Sequence, residues 1–374
     1  MDDCDVLIVG AGPAGSSCAW KLRDSGLRVV LLDKQRFPRD KVCGGWITLP
    51  VVDELQIDLA EYSRNRVLQP ILGFRTSRMG RREVETHYRE PISYAIRRCE
   101  FDEFLLRRCG AHVCEGVPLS SLEKSGENWI VNGRIQARLV IGAGGHFCPV
   151  ARVRGANARA EVGVAAQEIE FEMTAKQGQE CSIRAETPEL YFCPDMKGYA
   201  WCVRKNNFLN VGLGRLDPHA LPGHVAGLLK FLRDARKLAF ELPGKMHGHS
   251  YLLYGRTKRN VAQDGVLLIG DAAGLAYSQS GEGIRPGVES GLLAAKAILS
   301  SGIRNSSQIS EMYRGLLEQR FGKAQREWVA NMGRHLPGWF LSSASQVLMT
   351  NRWFSRRVLL DRWFLHRDEP ALSF

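Results

Sequence analysis

The sequence predicts an α/β protein: a parallel sheet wound with helices, an antiparallel sheet inserted into it, and a helical C-terminal tail. Three observations carry this reading. A short apolar strand near the N-terminus runs straight into a glycine-rich turn, and the same strand-then-glycine pattern returns near residue 270. Between about 160 and 250 the chain alternates apolar and polar residues, the period of a sheet with one buried face.

Composition sets the outer bounds. A chain of 374 residues, 44% apolar and 24% charged, has material for one large domain or two joined ones and excludes disorder, collagen and coiled coil. No apolar run approaches the roughly 20 residues that span a bilayer, and the Met1-Asp2-Asp3 start lacks the basic region of a signal peptide, which predicts a cytoplasmic protein. The 10 cysteines, from Cys4 to Cys202, contain no C-x-x-C pair, so neither a disulfide framework nor a metal site is expected. The net charge of +11 favours an anionic partner: a phosphorylated cofactor, an acidic protein or a membrane surface. It is spread along the chain without a reader motif, so nucleic acid is not expected.

Asp5-Val6-Leu7-Ile8-Val9 reads as a buried parallel strand. Gly10-Ala11-Gly12-Pro13-Ala14-Gly15 follows with G-x-G-x-x-G spacing: the first glycine makes the tight turn, the second admits a pyrophosphate, and the third lets the next helix pack on the strand. A helix-compatible stretch, Ser16 to Ser25, stops at Gly26, and a second strand, Val29 to Leu32, delivers Asp33 where an acid would bond a ribose hydroxyl. An acid there, rather than an arginine, fits FAD or NAD better than NADP. Leu139-Val140-Ile141 before Gly142 reads as another buried parallel strand. Downstream, Val266-Leu267-Leu268-Ile269 leads into Gly270-Asp271, then Gly281-Glu282-Gly283-Ile284-Arg285-Pro286-Gly287 opens an amphipathic helix, Val288 to Leu299. Strand, acid, glycine turn and helix N-terminus make a second place to hold phosphate and ribitol oxygens.

With these motifs in order, the chain resembles the FAD-binding superfamily of aromatic hydroxylases, flavin halogenases and geranylgeranyl reductases, over essentially its whole length. The resemblance implies FAD held by the turn of Gly10, Gly12, Pro13, Ala14 and Gly15, by Asp33 at the adenosine ribose, and by Gly270 and Asp271 at the ribityl and pyrophosphate. It places Gly281, Gly283 and Ile284 beside the flavin ring and Arg98 near the cofactor; Lys34, Lys41, Gly44, Gly45 and Val117 are further candidate contacts. Within the superfamily the geranylgeranyl-reductase-like group is most similar, through Lys41-Val42-Cys43-Gly44-Gly45, Gly198-Tyr199-Ala200-Trp201 and Asn210-Val211-Gly212-Leu213-Gly214. The chain departs from many relatives at Gly142-Ala143-Gly144-Gly145, where an acid is missing, and it lacks the halogenase signatures.

The two halves of the cofactor site lie about 260 residues apart, so the Rossmann-like FAD-binding domain is expected to be discontinuous (1–70, 95–155, 255–300). The substrate domain takes 71–94 and 156–254, with one sheet face roofing the flavin. Residues 301–374 carry 11 Lys or Arg against 6 Asp or Glu and four of the eight tryptophans, Trp328, Trp339, Trp353 and Trp363. This tail reads either as helices packed on the FAD domain or as a basic aromatic face for an acidic protein or a membrane, which would make the protein membrane-peripheral.

Cys43 is the candidate catalytic residue: the resemblance places it by the flavin as a proton relay or redox control that Lys41 would favour, and the alternative is a cysteine that merely fits the turn. Tyr191, Tyr199, Trp201, Glu282 and Arg285 are candidate substrate contacts for a bulky apolar or aromatic substrate, free or protein-borne. His146 and Cys148 read as structural, and the His247-x-His249 pair as solvent or strand edge. Aromatic hydroxylation through a flavin hydroperoxide is the expected reaction, with prenyl double-bond reduction as its strongest competitor and a flavin-bearing assembly protein as a third reading. The electron donor, NAD(P)H or another, stays open.

Overall fold

In the computed structural model, which describes residues 2–157, 161, 163–257, 259–322 and 348–373, the chain winds three sheets around one cleft. The strands in chain order are β1 (Asp2–Val9), β2 (Val29–Asp33), β3 (Trp46–Thr48), β4 (Leu68–Ile71), β5 (Gly73–Arg78), β6 (Val84–His87), β7 (Ser93–Ile96), β8 (His112–Glu115), β9 (Leu122–Ser125), β10 (Asn128–Val131) and β11 (Ile135–Gly142). They continue with β12 (Val164–Glu172), β13 (Glu189–Phe192), β14 (Gly198–Lys205), β15 (Phe208–Arg215), β16 (His247–Tyr251), β17 (Ala262–Gln263) and β18 (Val266–Leu268).

The first sheet has the parallel core β18-β11-β1-β2-β8, with β17 antiparallel at one edge and the β9–β10 hairpin paired onto β11. Its central strands are largely buried: Val6, Leu7 and Ile8 point alternately to opposite faces and are all out of solvent, so both faces are covered. The helix Pro13–Leu22 follows β1 directly; Pro13 starts it, and Ala14, Gly15, Ser16 and Ala19 are small enough to lie against the sheet. The long helix Ile284–Ser301 crosses it so closely that a Cβ on Gly291 would overlap the Ala14 carbonyl.

The second sheet runs β16-β12-β15-β14-β13-β5-β6, antiparallel except for the β13–β5 pair, and the small third sheet, β3-β7-β4, bridges the other two. One face of the second sheet buries Tyr191, Ala200, Cys202, Leu209, Val211 and Leu213 against the helix Leu221–Asp234, whose Leu221, Val225, Leu228 and Leu232 fall on one stripe. The other face turns Ala166, Tyr199 and Trp201 toward the first sheet.

The C-terminal region begins with the helix Ser306–Phe321, packed on the first layer through Ile309, Tyr313 and Leu317. Trp328 and Trp339 lie outside the described residues. Beyond, a wide helix of i→i−5 pitch, Ser355–Phe364, buries Leu359, Leu360 and Phe364 among the aromatics of the second sheet. Trp363 is half-buried there, whereas Trp353 is 67% exposed beside the exposed Arg352, Arg356 and Arg357.

Candidate functional site

A cleft of about 710 Å³ runs between the parallel sheet and the inner face of the second sheet, within the size range of cofactor and ligand pockets. At one end stand Asp33, Lys34 and Val117; the floor is Gly10, Gly12, Pro13 and Ala14; the far end holds Lys41, Cys43, Gly44, Gly45, Arg98, Gly270, Asp271, Gly281, Glu282, Gly283 and Ile284.

The floor is built as an anion cradle. Gly10 adopts φ +115°, and a Cβ there would overlap the Ala143 carbonyl just after β11, so only glycine fits the turn that leads from β1 into the helix Pro13–Leu22. Gly15 does not face the cleft: a side chain would drive into the Gly10 carbonyl, and its function is the close contact of helix and strand. The helix Pro13–Leu22 has no side-chain cap, and neither does Ile284–Ser301, whose start at Gly283 closes the other end of the cleft. Two positive helix ends with uncapped N–H groups fit a pyrophosphate and ribityl chain. Asp33 terminates β2 and accepts from Ala11 N at 2.7 Å and Gln35 N at 2.8 Å, keeping lone pairs for a ribose. The residues present therefore fit FAD.

At the far end, Lys41 Nζ lies 2.6 Å from His249 Nε2, which is 3.8 Å from Asp271 Oδ2. Burial, aided by the Arg98 charge, pushes the Lys41 ammonium down to about 8. Burial also lowers His249, whereas at Asp271 burial, which raises the carboxyl, is outweighed by the nearby His249, Lys41 and Arg98, which hold it below its usual range. Arg98 is fixed by a bidentate pair to the fully buried Asp102, at 2.8 Å for each bond.

Cys43 lines the cleft and its Sγ accepts from Gly45 N at 3.4 Å. Below it lies a buried polar cluster. Asn210 donates to the Cys43 carbonyl at 3.1 Å, to Glu168 at 3.1 Å and to Glu170 at 3.2 Å, and accepts from Trp201 Nε1 at 2.7 Å. Lys205 neutralises Glu170 at 2.5 Å; burial pushes Glu168 up to about 7.

Tyr199 and Trp201 both line the cleft, and Tyr199 OH donates to Ser280 O at 2.5 Å. Tyr191 does not. In the β13–β14 register it stands opposite Ala200, on the helix-covered face, where its hydroxyl donates to Glu189 and its ring packs on Phe231. Arg285 is likewise absent from the cleft wall. It is fully buried, paired with Glu289 at 2.7 Å, and donates to the carbonyls of His366, Glu369 and Pro370, so it anchors the C-terminal segment rather than a substrate. His146 lines the cleft while Cys148 is buried beneath it.

Sequence reasoning missed His249, Tyr251, Trp46 and Ala166, all in the cleft wall. His249 and Tyr251 are two apart on the edge strand β16 and share a face, whereas His247 is exposed. The alternation was a legible signal, but which face met the cleft was not. Among the described residues no group of His, Cys, Asp and Glu could hold a metal, and no helix is long and apolar enough to cross a membrane.

The model of the NAD(P)-binding Rossmann-like domain matches residues 8–60. The menaquinone reductase of Mycolicibacterium smegmatis is 31% identical over 347 residues, covering 85% of this chain and 81% of the relative. Digeranylgeranylglycerophospholipid reductase 1 of Methanothermobacter thermautotrophicus is 26% identical over 342 residues, 86% of this chain and 84% of the relative. Among solved structures, a geranylgeranyl bacteriochlorophyll reductase-like protein of Thermoplasma acidophilum superposes with a TM-score of 0.77 at 21% identity, covering 98% of each chain. Flavin-dependent halogenases and an FAD-dependent monooxygenase share the fold at 19% identity or less. With its cradle, its cleft and these relatives, the chain is an FAD-dependent oxidoreductase that belongs to the family of the menaquinone reductases and digeranylgeranylglycerophospholipid reductases.

Proposed function

We propose that this enzyme saturates a carbon–carbon double bond in the prenyl chain of a lipid, with a polyprenyl quinone as the first candidate. The observation that carries the reading is the wall formed by Trp46, Tyr199, Trp201 and Ala166 beside Cys43: an apolar, aromatic surface continuous with the cofactor cradle. The relatives described above are a menaquinone reductase and a digeranylgeranylglycerophospholipid reductase, and the likeness to monooxygenases and halogenases is one of fold, so aromatic hydroxylation is not specifically favoured.

FAD, when bound, supplies the hydride chemistry. The chain's own residues bind, orient and exclude water. The two helix N-termini would hold the cofactor's anionic middle, and Trp201, fixed by Asn210, and Tyr199, fixed by Ser280, shape a surface against which an extended apolar chain would lie. Cys43 sits in that wall as a candidate proton carrier. A substrate of this kind resides in membrane, and exposed Trp353 among Arg352, Arg356 and Arg357 suits an anionic lipid interface, which makes the protein membrane-peripheral in this proposal.

The test is anaerobic incubation of the dithionite-reduced holoenzyme with a polyprenyl quinone in detergent, followed by mass spectrometry. A product heavier by two hydrogens with an intact quinone ring supports the reading, and oxygen incorporation under air into an aromatic acceptor instead overturns it. Cys43→Ala separates its two roles: retained flavin with lost turnover supports proton carriage, and retained turnover leaves Cys43 a turn residue.

A further inference from the structure

We propose that Glu282 is the proton donor that completes the reduction, an assignment that rests on the reductase reading above. Glu282 stands in the cleft wall, in the segment that closes onto the start of the Ile284–Ser301 helix. The segment is held from both sides. Tyr277 N donates to the Glu282 carbonyl at 2.9 Å, Gly281 N donates to the Tyr277 carbonyl at 2.8 Å, and the Tyr251 hydroxyl abuts Gly281. One carboxyl oxygen, Oε1, accepts a long bond from Arg285 N at 3.4 Å. The other, Oε2, is out of solvent and has no hydrogen-bond partner among the described residues.

A buried carboxylate oxygen without a donor is costly, whereas a neutral, protonated carboxyl is tolerated there. The surrounding charges point the same way. Arg285, the cation nearest in sequence, is committed to Glu289 and to three C-terminal carbonyls, so it does not form an ion pair with Glu282. From the C-terminal segment comes His366, stacked on Tyr277 at 3.6 Å between ring centroids, with Nδ1 3.4 Å from Glu369 and Nε2 buried without a partner. Glu289 from the helix and Tyr199 from the sheet complete the titratable neighbours. Burial dominates: it pushes the Glu282 carboxyl up to about 7, against the lowering effect of His366 and Arg285 and with that of Glu289.

The step balances simply. One alkene carbon takes a hydride equivalent, which the reduced flavin would supply on becoming oxidised; the other takes the proton of the Glu282 carboxyl, whose O–H bond breaks to leave a carboxylate; solvent protons restore the acid between turnovers. No other oxidant or reductant is required.

The test compares parent, Glu282→Gln and Glu282→Asp holoenzymes, each checked for flavin content and melting temperature, in a single turnover of the dithionite-reduced protein with a polyprenyl quinone, the rate being that of the side-chain-saturated product followed by mass spectrometry. The expected results are a rate about 100-fold lower in Glu282→Gln, partial recovery in Glu282→Asp, and a parent rate that falls as pH rises through about 7, a dependence the Gln variant lacks. Difference infrared spectroscopy of parent against Glu282→Gln at pH 6 should show a protonated-carboxyl band whatever the substrate. A Gln variant with the parent's rate and pH profile, or no such band, overturns the assignment. A parent that reduces no prenyl double bond overturns the reductase reading instead, and the infrared band still reports the protonation of Glu282.

Discussion

The indole N–H of Trp201 donates to Asn210 Oδ1 at 2.7 Å, and the same amide's nitrogen reaches the Cys43 carbonyl at 3.1 Å. One fully buried side chain thereby ties the aromatic wall on β14 to the loop that carries the candidate catalytic thiol, across 167 residues of sequence. Replacing Asn210 by Leu strips the Trp201 donor and three acceptors, the Cys43 carbonyl, Glu168 and Glu170, of this partner. The expected cost is about 2–4 kcal/mol, with a larger loss of turnover than of flavin content, read by denaturant unfolding and by absorbance of the purified protein.

Glu168, beneath the same loop, gives the protein a pH signature. Its carboxyl is raised from 4.5 to about 7 by burial, so its protonated form is the one the folded state prefers. The resulting stability is fully present below pH 4.5 and is lost as pH rises through 7; with 1.36 kcal/mol per unit, the swing is on the order of 3 kcal/mol. Glu168→Gln should match the parent near pH 4.5 and exceed its stability at pH 8. Equal stability curves for the two proteins across that range would refute the assignment.

The cradle is predicted to be intolerant of a single methyl group. Gly10→Ala places a Cβ against the Ala143 carbonyl at φ +115°, at a cost of roughly 2 kcal/mol or more, and displaces the backbone on which the cofactor phosphates depend. The variant should purify colourless, and added FAD should raise the melting temperature of parent apoprotein but not that of the variant.

Arg285 fastens the C-terminus. Its guanidinium holds Glu289 and the carbonyls of His366, Glu369 and Pro370, while Glu54 takes Leu372 N at 2.9 Å. Arg285→Met leaves Glu289 with Arg320 alone and takes the donor from the Glu369 carbonyl, while the His366 and Pro370 carbonyls keep Glu369 N and Arg320; a loss of about 3–5 kcal/mol is expected, with protease cleavage after His366 appearing well below the melting temperature.

The two tyrosines separate packing from recognition. Tyr191→Phe should leave KM for a prenyl substrate unchanged, since Tyr191 packs on Phe231 away from the cleft. Tyr199→Ala removes part of the wall and frees Ser280 O, and should raise KM while flavin is retained.

The sequence alone determined the parts whose physics is local. A strand that must stop, turn and start a helix within six residues needs glycine at Gly10 and a small residue wherever helix meets strand, so the cradle, Asp33 and the second turn at Gly270-Asp271 were legible, as was the sheet patterning from 160 to 250. Tertiary structure decided what depends on register and on chain returning from a distance. Tyr191 and Trp201 look alike as sheet aromatics, yet strand pairing sets Tyr191 opposite Ala200 and Leu190 opposite Trp201, and one residue of offset moves a side chain from cleft to core. His249 became a cleft residue only because β16 pairs with β12 at the sheet edge, bringing it to Lys41 across 208 residues. Arg285, which next to a cofactor motif read as a ligand contact, is instead claimed by a C-terminus some 80 residues away, because a buried guanidinium must satisfy its donors wherever carbonyls are within reach.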